Sequence, residues 1–221
     1  MTNYPVVIDE LTQSHIKKEE QFGAHNYHPL PVVLNRGEGV YVWDVSGKQF
    51  FDFLSGYSAV NQGHCHPKIV NVFVDQARTL TLTSRAFHSE KFAEYTAYIT
   101  SLFGYDKVLP MNGGVEAVET AIKQARRWGY QVKGVADVQA KVITAAENFH
   151  GRTLNVISFS MDPTAKSGFG SFMEGYLSIP FNDPEALMEE VKDPNVVVFL
   201  VESLLGAAGG VVPEAPLCGV G

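Results

Sequence analysis

The chain has 221 residues, 45% hydrophobic and 19% charged, a balance that excludes a disordered or coiled-coil protein. Seventeen Lys and Arg against 24 Asp and Glu give a net charge of -7, so no basic excess neutralises nucleic-acid phosphates or an anionic membrane. This length accommodates one large domain, or a small lobe plus most of a larger one.

The N-terminus carries Asp9 and Glu10 and no apolar or Arg-rich run, so no targeting signal is read and the cytoplasm is the expected location. Residues 9–22 predict a short helix that enters the loop Gly23-Ala24-His25-Asn26-Tyr27-His28-Pro29, richer in polar and aromatic groups than a linker needs. Val32, Leu34, Val40, Val42, Phe51 and Phe53 then alternate with polar residues, punctuated by Gly37-Glu38-Gly39 and Ser46-Gly47-Lys48. That period of two predicts a small antiparallel meander. Pro67 suits the first turn of a helix whose apolar face is Ile69, Val70, Phe73, Val74 and Ala77, and a further helix is expected over residues 89–103.

From there the pattern becomes strand, Gly-rich turn, helix. Residues 107–110 read as a strand, Asn112-Gly113-Gly114 as a turn, and Val115, Val118, Ala121, Ile122, Ala125 and Trp128 as one helix face. Residues 141–146 read as a strand, and the continuous apolar run 196–201 as a strand covered on both faces of a parallel sheet. The apolar stretch 196–212 is interrupted by Glu202 and Ser203 and is rich in Gly and Ala, so it is read as strand plus loop, not a membrane span. The expected fold class is α/β, with residues 1–54 forming an N-terminal helix and meander and residues 55–221 an α/β domain.

Two stretches point to ligand chemistry. Gly113 and Gly114 stand where a strand gives way to a helix, where exposed N–H groups and the helix dipole can receive an anion; a tight turn needing glycine is the competing explanation. Glu147-Asn148-Phe149-His150-Gly151-Arg152-Thr153 follows a strand, at the end where open α/β sheets bind ligands. Arg152 offers a planar fork for a carboxylate and Phe149 a flat face for a ring; alternatively Arg152 caps a helix and Phe149 is core.

Other chemistries find less support. His64-Cys65-His66 has no second ligand pair at metal-site spacing and reads as a turn before a helix, so no metal is expected. Cys65 and Cys218 lie far apart, which suits a reducing compartment. No nucleophile elbow or P-loop occurs.

Residues 23–31, 57–67, 80–87 (LTLTSRAF), 108–117 (VLPMNGGVEA) and 148–154 (NFHGRTL) together resemble the ornithine aminotransferases, class III members of the fold type I pyridoxal-phosphate enzymes. The resemblance covers residues 9 to about 201, the N-terminal portion of that family's pattern. It implies a large three-layer α/β domain that binds pyridoxal 5'-phosphate, with Gly113, Gly114, Val115, Phe149 and His150 at the cofactor. The N–H groups of Gly114 and Val115 would take the phosphate, and Phe149 would stack on the pyridine ring. Tyr27, Tyr57 and Arg152 would contact substrate, with Tyr27 favouring ornithine over acetylornithine as donor, and Glu202 would support the site from behind. The implied reaction converts ornithine and 2-oxoglutarate to glutamate semialdehyde and glutamate in a homodimer.

The resemblance also has departures. After Glu202 the chain reads Ser203-Leu204-Leu205-Gly206-Ala207, with Ala207 in place of a family glutamate, and Gly113 stands where the family has threonine. No lysine matches the family's Schiff-base position, so no catalytic residue is assigned within the chain. The family's sheet order, 3-2-4-5-6-7-1, would leave residues 107–110 at a far edge. The chain is therefore expected to be a fragment or a poorly stable truncation with exposed apolar edges. The alternatives are an inactive isoform that binds pyridoxal phosphate or full-length subunits, or another class III enzyme such as an acetylornithine aminotransferase.

Overall fold

The structure is a computed structural model that describes residues 8–214. Cys218 lies outside the described residues. The chain divides into two compact units, parted in sequence between Tyr95 and Thr96.

The first unit begins with α1 (Glu10–Phe22), started by Asp9, whose carboxylate accepts from Thr12 N at 3.0 Å and Thr12 Oγ1 at 2.7 Å. Next comes the expected meander: β1 (Leu34–Glu38), β2 (Tyr41–Asp44) and β3 (Gln49–Phe51), antiparallel in the order β1-β2-β3. Tyr41 pairs with Phe51 across β2 and β3, with ring centroids 4.9 Å apart. α2 (Ser55–Ser58) is a single turn wound left-handed: Ser55, Gly56, Tyr57 and Ser58 have φ of 50, 56, 55 and 68°. Three of the four carry a side chain, so the turn is strained and needs an external hold. Asp52 supplies one, accepting from Leu54 N and Ser55 N, each at 2.9 Å, through Oδ1 and pairing with His64 Nε2 at 2.7 Å through Oδ2. α3 (Pro67–Thr79) starts at its proline and buries no residue. α4 (Glu90–Phe103) spans the sequence boundary between the units.

The second unit is built on a parallel sheet in the order β5-β4-β6, from β4 (Lys141–Ala145), β5 (Tyr176–Ile179) and β6 (Val196–Leu200). Side chains alternate faces along β4 and so define two cores. Ile143 packs on one face with Ile179, Leu187 and Val196. Val142 packs on the other with Ile122, Val156 and Phe159. α8 (Pro184–Glu190) covers the first face through Leu187. α5 (Gly114–Trp128), extended by a π-helical turn over Gly129–Lys133, covers the second together with α6 (Leu154–Ser158). α7 (Pro163–Lys166) is a short turn after α6. The layers are helix, sheet, helix, as expected of an α/β domain.

Two expectations change. Residues 107–110 form no strand, because a strand exists only through a ladder and no described residue pairs with them. β5, α6, α7 and α8 fill the stretch between the strands at 141 and 196, for which the hydrophobic pattern alone gives no element. The order β5-β4-β6 corresponds to the 3-2-4 end of the sheet implied by the resemblance. Large apolar side chains stand exposed in the described residues, among them Phe53 at 94% and Leu82 at 87%.

Candidate functional site: an open helix start beside an aromatic loop

α5 begins at Gly113, whose φ of -147° and ψ of 164° are ordinary extended backbone, and no side chain caps it. Neither Gly113 nor Gly114 adopts positive φ, and a Cβ built on either meets nothing within 4 Å. The turn therefore does not require glycine, and the tight-turn explanation fails. What the two glycines leave is open space in front of the first N–H groups of α5, which have no helical acceptors and lie at the positive end of the helix dipole. Glu116 reaches back from the first turn, its Oε2 accepting from Asn112 N at 2.9 Å, and so orders the approach to the helix.

The segment after β4 lies against that helix start. Gly151 has φ of 121°, and a Cβ there would stand 2.6 Å from Val115 Cγ2, so here glycine is required by backbone and by space alike. Asn148 is buried and donates from Nδ2 to Ala145 O at 2.5 Å and Phe159 O at 3.4 Å, stitching the loop to the strand end. Phe149 donates its N–H to Glu202 Oε1 at 2.8 Å, joining the loop to the end of β6. The Phe149 side chain is 53% exposed, so it is not core. His150 lies beside Phe159, centroids 5.7 Å apart and rings tilted by 57°; its Nε2 is buried without a partner, and burial holds its imidazole below the ordinary range, opposed by Glu202. Arg152 is exposed and does not occupy the cap of α6, a position held by Thr153. Gly113, Gly114, Val115, Phe149, His150, Arg152 and Glu202 thus share one end of the second unit's sheet, around one helix start.

The first unit places the remaining candidates. Tyr57 rides on the left-handed turn, 76% exposed, and Tyr27 lies in the loop after α1, 53% exposed. His64 pairs with Asp52 and forms a bridge with Gly39, Cys65 has φ of 53°, and His66 starts α3, which is the turn expected there. Among the described residues, no group of three or more His, Cys, Asp and Glu is placed to hold a metal ion. No described helix is long and apolar enough to cross a membrane. Sequence reading gave Asn148 no role within residues 147–153, although a polar residue just past an apolar strand is a local signal for the bonds it makes.

The family model "Aminotransferase class-III" matches residues 22–218. The chain belongs to the class III aminotransferases. It is 58% identical over 198 residues to the mitochondrial ornithine aminotransferase of Rattus norvegicus, covering 90% of this chain and 45% of that one. Its fold matches the ornithine aminotransferase structure from Toxoplasma gondii with a TM-score of 0.90 and 41% identity, over 92% of this chain and 48% of that one. That protein carries pyridoxal phosphate at partial occupancy in its active site. The acetylornithine aminotransferase structure from Elizabethkingia anophelis is 57% identical with a TM-score of 0.79, over 92% of this chain and 49% of that one. The chain spans about half the length of the curated relatives it matches.

Proposed function

We propose that the second unit's site holds pyridoxal 5'-phosphate and that the protein is an ornithine δ-aminotransferase. The observation that carries the reading is the uncapped start of α5, where two glycines leave space that neither the turn nor the packing requires. The residues fit the group: backbone N–H groups of Gly114 and Val115 take its phosphate, with Gly113 leaving room for it. Phe149 offers its exposed face to the ring and His150 flanks it. The cofactor, when bound, supplies the electron sink that amino transfer needs. Arg152 binds a substrate carboxylate through its two-pronged fork, and Glu202 steadies Phe149 through the loop N–H. The resemblance also gives Tyr27 and Tyr57 to the donor substrate, their phenols binding polar groups of ornithine. A covalent anchor and a partner for the ring nitrogen are assigned to no residue of this chain.

In the whole protein the reaction takes ornithine and 2-oxoglutarate to glutamate semialdehyde and glutamate, in a homodimer. The cytoplasm is the proposed location; the rat relative is named a mitochondrial protein, and fractionation of the native source decides between the two compartments.

A second reading, acetylornithine aminotransferase, is favoured by the Elizabethkingia neighbour. Steady-state rates of the whole protein with ornithine and with N-acetylornithine, each with 2-oxoglutarate, separate the two. The first reading expects a higher kcat/KM for ornithine and a preference reduced about tenfold by Tyr27→Phe. A preference for N-acetylornithine that Tyr27→Phe leaves unchanged selects the second.

A further inference from the structure

The helix start that would receive a phosphate and the loop that would cover a ring come from different elements, so something must hold their separation. Glu119, in the second turn of α5, reaches across to the loop. Its Oε1 accepts from Thr153 Oγ1 at 2.5 Å and its Oε2 from Asn155 Nδ2 at 2.6 Å. Thr153 stands at the start of α6, where a threonine hydroxyl ordinarily caps its own helix. Here α6 goes without a side-chain cap, and the hydroxyl is directed to Glu119 instead.

The tie continues beyond this pair. Asn155 Oδ1 accepts from the Tyr176 hydroxyl on β5. The Tyr176 ring lies 4.6 Å from that of Phe159, which in turn neighbours His150. Arg126, further along α5, places its guanidinium 5.3 Å from the Tyr176 ring centroid. Glu119 therefore binds α5 to both ends of a closed path through α6, β5 and the loop after β4. Close packing of Gly151 on Val115 adds contact but no directional bond.

We propose that Glu119 is a positioning residue that clamps residues 149–153 against the first turns of α5, so that the phosphate-receiving N–H groups and the Phe149 face are presented at one fixed separation. The inference rests on the cofactor reading above and adds a recognition rule to it. A ligand with both a phosphate and a flat ring gains from the clamp, whereas a bare phosphate needs only the helix start.

The test measures dissociation constants of pyridoxal phosphate and inorganic phosphate on the 221-residue chain, by fluorescence quenching and phosphorus NMR. Glu119→Ala is expected to weaken pyridoxal phosphate about tenfold or more while changing inorganic phosphate less than about twofold. Glu119→Gln keeps an acceptor for Asn155 and offers its amide to the Thr153 hydroxyl, so it should stay within about threefold of the parent. Thr153→Val removes one bond and leaves the other, and supplies the answer if Glu119→Ala does not fold; it is expected to weaken pyridoxal phosphate about threefold, again sparing phosphate. Glu119→Ala or Thr153→Val binding pyridoxal phosphate as the parent does, or losing both ligands equally, overturns the clamp. A parent chain that binds neither ligand overturns the cofactor reading itself, and the clamp with it.

Discussion

Gly114→Ala should raise fold stability and lower ligand affinity, two effects of opposite sign from one methyl group. Gly114 has no positive φ, and its added Cβ meets nothing within 4 Å, so the folded chain accepts the methyl without strain. Replacing glycine at a compatible position reduces the freedom of the unfolded chain and stabilises by about 0.4–1 kcal/mol. For a chain of this size that is a rise in melting temperature of about 1–4 °C. The Cα–Cβ bond of a helical residue tilts toward the helix start, into the space from which the first N–H groups are reached. Losing one charge-assisted hydrogen bond there costs about 1.5–3 kcal/mol, or about 10- to 150-fold in the dissociation constant. Thermal melting and titration with pyridoxal phosphate give both numbers on one preparation. Unchanged affinity alongside raised stability would refute the argument that the space is kept for a ligand. Lowered stability would show that the glycine serves the turn after all.

Gly151→Ala is expected to act the other way, because positive φ and the approach to Val115 Cγ2 each cost about 1–3 kcal/mol, read as a lower urea midpoint. Ile143, fully buried in β4, should cost about 2–5 kcal/mol when cut to alanine, by the same assay. His150 predicts a pH dependence: burial lowers its folded pKa, so the neutral ring's contribution is complete above the unfolded value of about 6.5 and is lost as pH falls below it. Urea midpoints at about pH 7.5 and 5.5 should therefore differ less in His150→Gln than in the parent; an equal difference contradicts the assignment. The exposed Phe53 and Leu82 predict self-association of the chain and binding of an apolar dye; a monomer that binds none contradicts this.

Much of this architecture was legible because it rests on local rules. Asp9 before α1, Pro67 at the start of α3 and the Val115, Val118, Ile122 spacing in α5 each act within one or two helical turns. The alternating run up to Phe53 announces the strands of the meander, though Leu34, Val40, Phe51 and Phe53 stand exposed, and the apolar run of β6 announces a strand with side chains in both cores. α8 carries a local signal of the same kind: Asp183 accepts from Ala186 N at 2.8 Å and Pro184 opens the helix. β5 was not readable in the same way, since four residues offer too short a period to separate strand from loop. The candidate site divides along the same line. Gly113, Gly114, Phe149 and Arg152 stand out as residue types beside element ends. The bonds that arrange them do not: Glu119 and Thr153 are 34 residues apart, and Phe149 and Glu202 are 53 apart. The left-handed turn under Tyr57 is equally hidden, for only Gly56 hints at it and Asp52 holds it from outside.

The proposed function stands on the start of α5 receiving the phosphate of a flat, ring-bearing ligand. Titrating the chain with pyridoxal phosphate and with pyridoxal, which lacks only the phosphate, tests it most directly. Pyridoxal is expected to bind at least about tenfold more weakly, and inorganic phosphate to compete with pyridoxal phosphate. Equal binding of the two, or binding that phosphate does not displace, would contradict it.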